Sequence, residues 1–337
     1  MAIIHFLFYD RKYVRNLPAS LKSETSVTRK EVFREMMGYA VPYLISAVLT
    51  NSSSMIILLM LKTGLLRYGM EEQTIKLYQG IINYEAYKLV SIPQIIATGF
   101  SLAIIPHMTE ALTKGDDEEV RKLFQKVIET ANYLVIPVIL FMIFFAREIY
   151  FIMYGNGNLD IGTQLLAKSL IIRFLIIFSI IMDSVVIALK MRKLFVAVSV
   201  SQIIFVVATL LYWLGHFGID GYYICMGLRY LITLIISFSY VVKKIQPSLG
   251  HIFNNCARAW ISVLPMMVIA AILANISFDM TVNTRLITLL YVGMMGLLTV
   301  GLYLIISAKL ELPQYLFDIE ISRDSISDLL TGRRFRQ

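Results

Sequence analysis

From Tyr39 to Ile306 the chain alternates between long apolar runs and short polar stretches. A helix crosses a hydrocarbon core of about 30 Å with about 20 mostly apolar residues, because each residue rises about 1.5 Å. Eight runs meet that measure: 39–61, 87–106, 133–151, 165–189, 194–214, 222–242, 260–276 and 286–306. The runs are continuous, whereas the strands of a membrane β-barrel alternate between apolar and polar positions. The pattern therefore predicts an all-α polytopic membrane protein with about eight transmembrane helices.

Composition agrees, since 58% of the 337 residues are hydrophobic and only 16% are charged, against about 45–50% apolar in a soluble domain. The net charge of +8 raises the question of a nucleic-acid partner, and the placement of the basic residues answers it. Of the 31 lysines and arginines, 22 fall before the first run, in alternate loops and in the tail, and seven fall in the intervening loops or at the run ends beside them. That asymmetry predicts both termini in the cytoplasm. It accounts for the basic excess, and no nucleic-acid partner is expected.

The polar stretches have structure of their own. Ala2 to Phe8 is an apolar stub too short to span, followed directly by charge, which reverses the order of a secretory signal. It reads as the exit end of a preceding helix. After the second run, Gly115 predicts a helix break, and Asp116, Asp117, Glu118 and Glu119 suit a new helix N-terminus. Arg121, Lys122 and Lys126 follow, so the segment is expected to form a short cytoplasmic helix before the third span, either amphipathic at the headgroups or a solvated linker.

Candidate chemistry is sparse. Cys225 and Cys256 make no disulfide framework, and His5, His107, His216 and His251 lack ligand spacing, so no metal and no cofactor is expected. No nucleophile elbow, phosphate loop or acidic catalytic cluster occurs in a supporting context, and no enzyme activity is expected. What stands out is polarity inside the apolar runs. Ser91, Gln94, Thr98 and Ser101 share a sector of the second run, with Lys88 on its flank. Such a row is either the wall of a wet cavity or helix-packing polar contact. Asn51 and Ser54 share a face of the first run and could complete the same cavity. Arg173 and Asp183 lie in the fourth run and Arg229 in the sixth. Charges at that depth face a bundle interior or a cavity. Asp183 and Arg229 could pair; alternatively Arg173, Arg229 and Lys88 could receive an anionic headgroup such as a pyrophosphate.

Four phrases bring a family into view: "GYAVPYLIS" from Gly38, "IPHMTEALTKGDDEEVRK" from Ile105, "IMYG" from Ile152 and "FGIDGYYI" from Phe217. In order and spacing they resemble the multidrug, oligosaccharidyl-lipid and polysaccharide exporter superfamily, on its polysaccharide-export branch near the stage V sporulation protein B group and the lipid II flippases. The resemblance covers the second lobe of that fold. It implies a cytoplasmic basic segment with a helix remnant at 1–37, a six-helix lobe at 38–245, an extra helix pair at 246–308 and a cytoplasmic tail at 309–337. It implies alternating-access transport of a lipid-linked oligosaccharide, polysaccharide or peptidoglycan precursor across the bacterial plasma membrane. The partners implied are an undecaprenyl-pyrophosphate-type lipid, membrane lipids, and either a missing N-terminal lobe or a second copy. The substrate-binding residues would be Lys88, Ser91, Gln94, Thr98, Asn51, Ser54, Arg173 and Arg229. Three departures from the family pattern are Ser54 where many relatives are acidic, Lys88 where they are apolar, and "ALKMRK" at Ala188 where a glutamine-glycine turn is usual. The competing readings are a non-transporting scaffold or remnant and a multidrug or cation antiporter.

Overall fold

The computed structural model describes residues 29–274 and 284–317. The stub at 2–8, the end of the last-but-one run and the tail beyond 317 lie outside the described residues. No strand occurs among the described residues. The elements are α1 (Arg29–Arg67), α2 (Glu72–Gly80), a π-helical turn (Ile81–Ala86), α3 (Tyr87–Lys114), α4 (Asp117–Phe144), α5 (Ala146–Tyr154), α6 (Leu159–Ala188), α7 (Arg192–Phe217), α8 (Ile219–Ile245), α9 (Leu249–Ala274), α10 (Arg285–Lys309) and α11 (Leu312–Phe317). Seven helical stretches among the described residues are long and apolar enough to cross a membrane; they are α2–α3 taken together, α4 and α6 to α10. The first apolar run lies within α1. Helix is the physical outcome because a lipid-embedded backbone must satisfy its own N–H and C=O groups.

Gly115 ends α3 as expected. At φ +73° it closes a Schellman turn, with Gly115 N–H donating to Leu112 O (3.3 Å) and Asp116 N–H to Ala111 O (3.0 Å). Asp116 then caps α4 by accepting from Glu119 N–H at 2.9 Å. The expected separate cytoplasmic helix is not there. The charged segment is the first turns of α4 itself, and it runs without a break into the third span. Its apolar residues Val120, Phe124, Val127 and Ile128 are buried at helical spacing. The same span ends earlier than expected, at Phe144; the chain turns at Phe145, and the last part of the run becomes the short α5.

Helices α1, α3, α4, α6, α7 and α8 pack together. α1 packs along α7, α7 along α8, α8 against α6, and α6 against α3. The α7–α8 contact is close at Gly221, where an added Cβ would stand 2.0 Å from the Trp213 carbonyl oxygen. A second core joins α4 to α9, α10 and α11 through Tyr133, Ala259, Val263, Met266, Tyr303, Leu312 and Leu316. Tyr303 donates to the Tyr133 carbonyl (2.8 Å), and the Tyr133 and Ser307 hydroxyls meet at 2.8 Å. The residues just after α10 are thus packed onto the bundle rather than hanging from it. Cys225 and Cys256 are both free thiols.

Candidate functional site

Five helices and the π-helical turn surround a cavity of about 480 Å³, a size typical of small-molecule sites. Its wall follows helical periodicity. From α6 come Ser169, Arg173, Ile176, Ile180 and Asp183, spaced so that one stripe of the helix faces inward. From α3 come Tyr87, Val90 and Gln94; from α7 Ser199 and Gln202; from α8 Tyr222, Tyr223, Met226, Arg229 and Tyr230. α1 adds Ser53, Ser54 and Ile57, and the π-helical turn adds Ile82 and Asn83.

Two buried guanidinium groups dominate this space. Arg173 Nη1 donates to Gln94 Oε1, and the guanidinium lies over the Tyr87 ring at 5.6 Å. Its Nε is buried without a hydrogen-bond acceptor. Arg229 donates from Nε and Nη2 to Gln202 Oε1 at 3.2 and 2.9 Å and lies over the Tyr230 ring at 5.0 Å. The partners are amide oxygens and aromatic faces, which orient and partly solvate a cation without neutralising it. Among the described residues no carboxylate forms an ion pair with either arginine. The expected Asp183–Arg229 pair is absent: Gln202 takes Arg229, and Asp183 has no hydrogen-bond or ion-pair partner among the described residues.

Of the residues expected from the sequence, Ser54, Gln94, Arg173 and Arg229 come together on this wall. The Asn51 side chain lies outside the described residues. Lys88, Ser91 and Thr98 do not line the cavity. The inward line of α3 runs through Tyr87, Val90 and Gln94, and at about 100° per residue Lys88 points about 120° away from Gln94. Lys88 and Thr98 are exposed; the Thr98 and Ser91 hydroxyls donate back to the Ile95 and Lys88 carbonyls at 2.9 and 2.6 Å. The sequence row was real but straddled two faces of one helix.

Several wall residues were missed. Ser199 and Gln202 sit three apart in α7, a polar pair in an apolar run that could have been noticed. The tyrosines of α8 resemble an interfacial aromatic belt in sequence, and only tertiary packing turns them inward. The π-helical turn has no sequence signal. It is held from below by α5: the Tyr150 hydroxyl donates to the Glu85 carboxylate, and the Tyr154 hydroxyl donates to the Glu85 carbonyl at 3.1 Å. Burial first, and then the Glu85 carboxylate, push the Tyr150 hydroxyl well above its ordinary titration range.

No family model matches the chain. The chain is distantly similar to the lipid II flippase MurJ of Bacillus subtilis (strain 168), with 24% identity over 143 residues. The matched segment is 42% of this chain and 26% of that protein, so the chain spans about a quarter of its relative's length in the match.

Proposed function

We propose that the chain is one lobe of a membrane transporter that moves a lipid-linked saccharide, an oligosaccharide, polysaccharide or peptidoglycan precursor, across a bacterial plasma membrane. The observation that carries the reading is the pair of buried arginines, Arg173 and Arg229, facing one cavity, neither of them ion-paired to a carboxylate among the described residues. Buried cations in a membrane bundle are costly and normally mark a ligand path or find acidic partners. Here the missing counter-charge is supplied by the substrate, whose pyrophosphate oxygens accept from both guanidinium forks. The tyrosine and glutamine groups around them suit a sugar or peptide portion. Similarity to a lipid II flippase supports the same class of cargo.

Rocking transport needs two halves around one site. Lys88 and Thr98 are exposed on α3 beside the cavity-lining face, where lipid is an unfavourable neighbour for an ammonium group. That row faces a second lobe, supplied by an N-terminal partner or by a second copy, with both ends of this chain in the cytoplasm. The test is translocation of a fluorescent polyprenyl-pyrophosphate saccharide in proteoliposomes. The chain paired with its complementary lobe moves the lipid, and Arg173→Gln with Arg229→Gln abolishes the movement. Flux unchanged by the double substitution overturns the reading.

A second reading, cation or multidrug antiport, is favoured by one observation: Asp183 presents an unpaired carboxylate to the same cavity. Under it, Asp183→Asn stops transport and the arginine substitutions do not.

A further inference from the structure

One polar ladder lies away from the cavity, where α4 meets the last helices. α4 carries Arg121, Gln125 and Glu129 at four-residue spacing on one face. Arg121 Nε donates to the Ile245 carbonyl at 2.7 Å, and Gln125 Nε2 donates to the Ser248 carbonyl at 3.4 Å. These two fasten the α8–α9 connection. Glu129 reaches α9 itself, and its side chain is only 1% exposed.

Glu129 has two partners. Its Oε2 accepts from Asn255 Nδ2 at 3.0 Å, and its Oε1 lies 3.3 Å from Nδ1 of His251. Asn255 Nδ2 also lies 3.0 Å from that same ring nitrogen. An amide nitrogen has two N–H groups and no acceptor. If Asn255 gives one to Glu129 and one to His251, Nδ1 is accepting there. Nδ1 and a carboxylate oxygen are then two acceptors face to face. A proton carried on Oε1 resolves the conflict, because Oε1–H then donates to Nδ1, whereas a proton on Nδ1 would face the Asn255 N–H as a second donor.

Among the described residues no other group is bonded to the Glu129 carboxylate. On α4, Lys126 and Tyr133 sit a turn before and a turn after Glu129; the Tyr133 hydroxyl meets Ser307. On α9, Cys256 is half-buried next to Asn255, and on α11 the Tyr315 ring lies 5.3 Å from His251. The one ion pair of Glu129 among the described residues is with His251. A buried carboxylate without a proton or a cation is strongly unfavourable.

We propose that Glu129 and His251 form a proton-binding site that clamps α9, and with it the terminal helices, onto α4. With the proton bound, the carboxylate is satisfied on both oxygens and α9 docks. When the proton leaves, a bare negative charge remains in the interface and the first turn of α9 loosens. His251 is 46% exposed, which gives the proton a route to water. The clamp operates whether or not the chain is a transporter.

By linkage, the stability contributed by a proton bound in the folded state is full at the acid end and is lost as pH rises. The experiment is the melting temperature of the full chain in detergent, followed between about pH 5 and pH 8, above the ordinary carboxylate range, since burial raises the Glu129 carboxyl. Wild type loses several degrees toward the alkaline end. Glu129→Gln keeps the shape and the Asn255 bond, and its melting temperature is flat over the interval. Asn255→Ala lowers the melting temperature at every pH but retains the step, which separates packing from protonation. His251→Gln, at a half-exposed position that tolerates change, displaces the step. It decides the matter even if Glu129→Gln does not fold. No step in wild type, a step that Glu129→Gln leaves in place, or a step unmoved by His251→Gln overturns the proposal.

Discussion

Removing one guanidinium from the cavity has a calculable effect. Arg173 donates from Nη1 to Gln94 and Arg229 from Nε and Nη2 to Gln202, so each has further N–H groups free to meet an anion. A hydrogen bond to a charged group contributes about 1.5–3 kcal/mol net. At about 1.4 kcal/mol per decade, Arg173→Gln or Arg229→Gln weakens pyrophosphate binding by about 10- to 100-fold. The double variant is not the simple sum, because both arginines act on one ligand. The assay is equilibrium binding of a fluorescent polyprenyl pyrophosphate to the full chain in nanodiscs, with the matching polyprenyl alcohol as reference. Wild type prefers the pyrophosphate, and each substitution removes most of that preference without changing alcohol binding. Lys88→Gln serves as the control, since Lys88 is exposed and off the cavity wall. Equal affinity for the two lipids in wild type, or an equal loss on Lys88→Gln, refutes the reasoning.

Gly221→Ala forces a methyl group to within 2.0 Å of the Trp213 carbonyl oxygen; overpacking of this kind costs about 1–3 kcal/mol, read as a lower melting temperature in detergent. Lys190 holds a left-handed conformation at φ +57° in the turn after α6, and Lys190→Gly, which relieves the Cβ penalty of that conformation, stabilises the chain by about 1 kcal/mol in the same assay. For topology, a membrane-impermeant thiol reagent applied outside intact cells labels Asn158→Cys and leaves Asp117→Cys untouched; the reverse pattern contradicts the orientation read from the basic loops.

Much of the architecture was legible because hydropathy speaks directly to a bilayer. The break at Gly115 was legible too, since a glycine followed by four acidic residues has a specific backbone meaning. The length of α4 was not. Its first turns carry five charged residues among seven from Asp117 to Leu123, which fails a hydropathy measure while still burying Val120 and Phe124 on one face. The kink at Phe145 has no glycine or proline to announce it. For the cavity, the polar groups could be found but not their directions. Gln94 and Lys88 are six residues apart on one helix and differ by a third of a turn, a distinction that vanishes when a sector is drawn generously. The Lys190 turn is the converse: "ALKMRK" contains no glycine, yet Lys190 holds the left-handed conformation that glycine usually supplies. The Glu129–His251–Asn255 cluster was invisible because its members lie 122 and 126 residues apart in sequence.

The central claim is that the cavity is wet and electrostatically positive. Met226→Cys places a thiol on its wall, three residues from Arg229, in a background where Cys225 and Cys256 are replaced by serine. The measurement is the ratio of modification rates by an anionic and a cationic thiosulfonate of similar size. The account expects the anionic reagent to react several-fold faster, and expects that preference to disappear in Arg173→Gln with Arg229→Gln. No reaction with either reagent, or a preference for the cation, contradicts it.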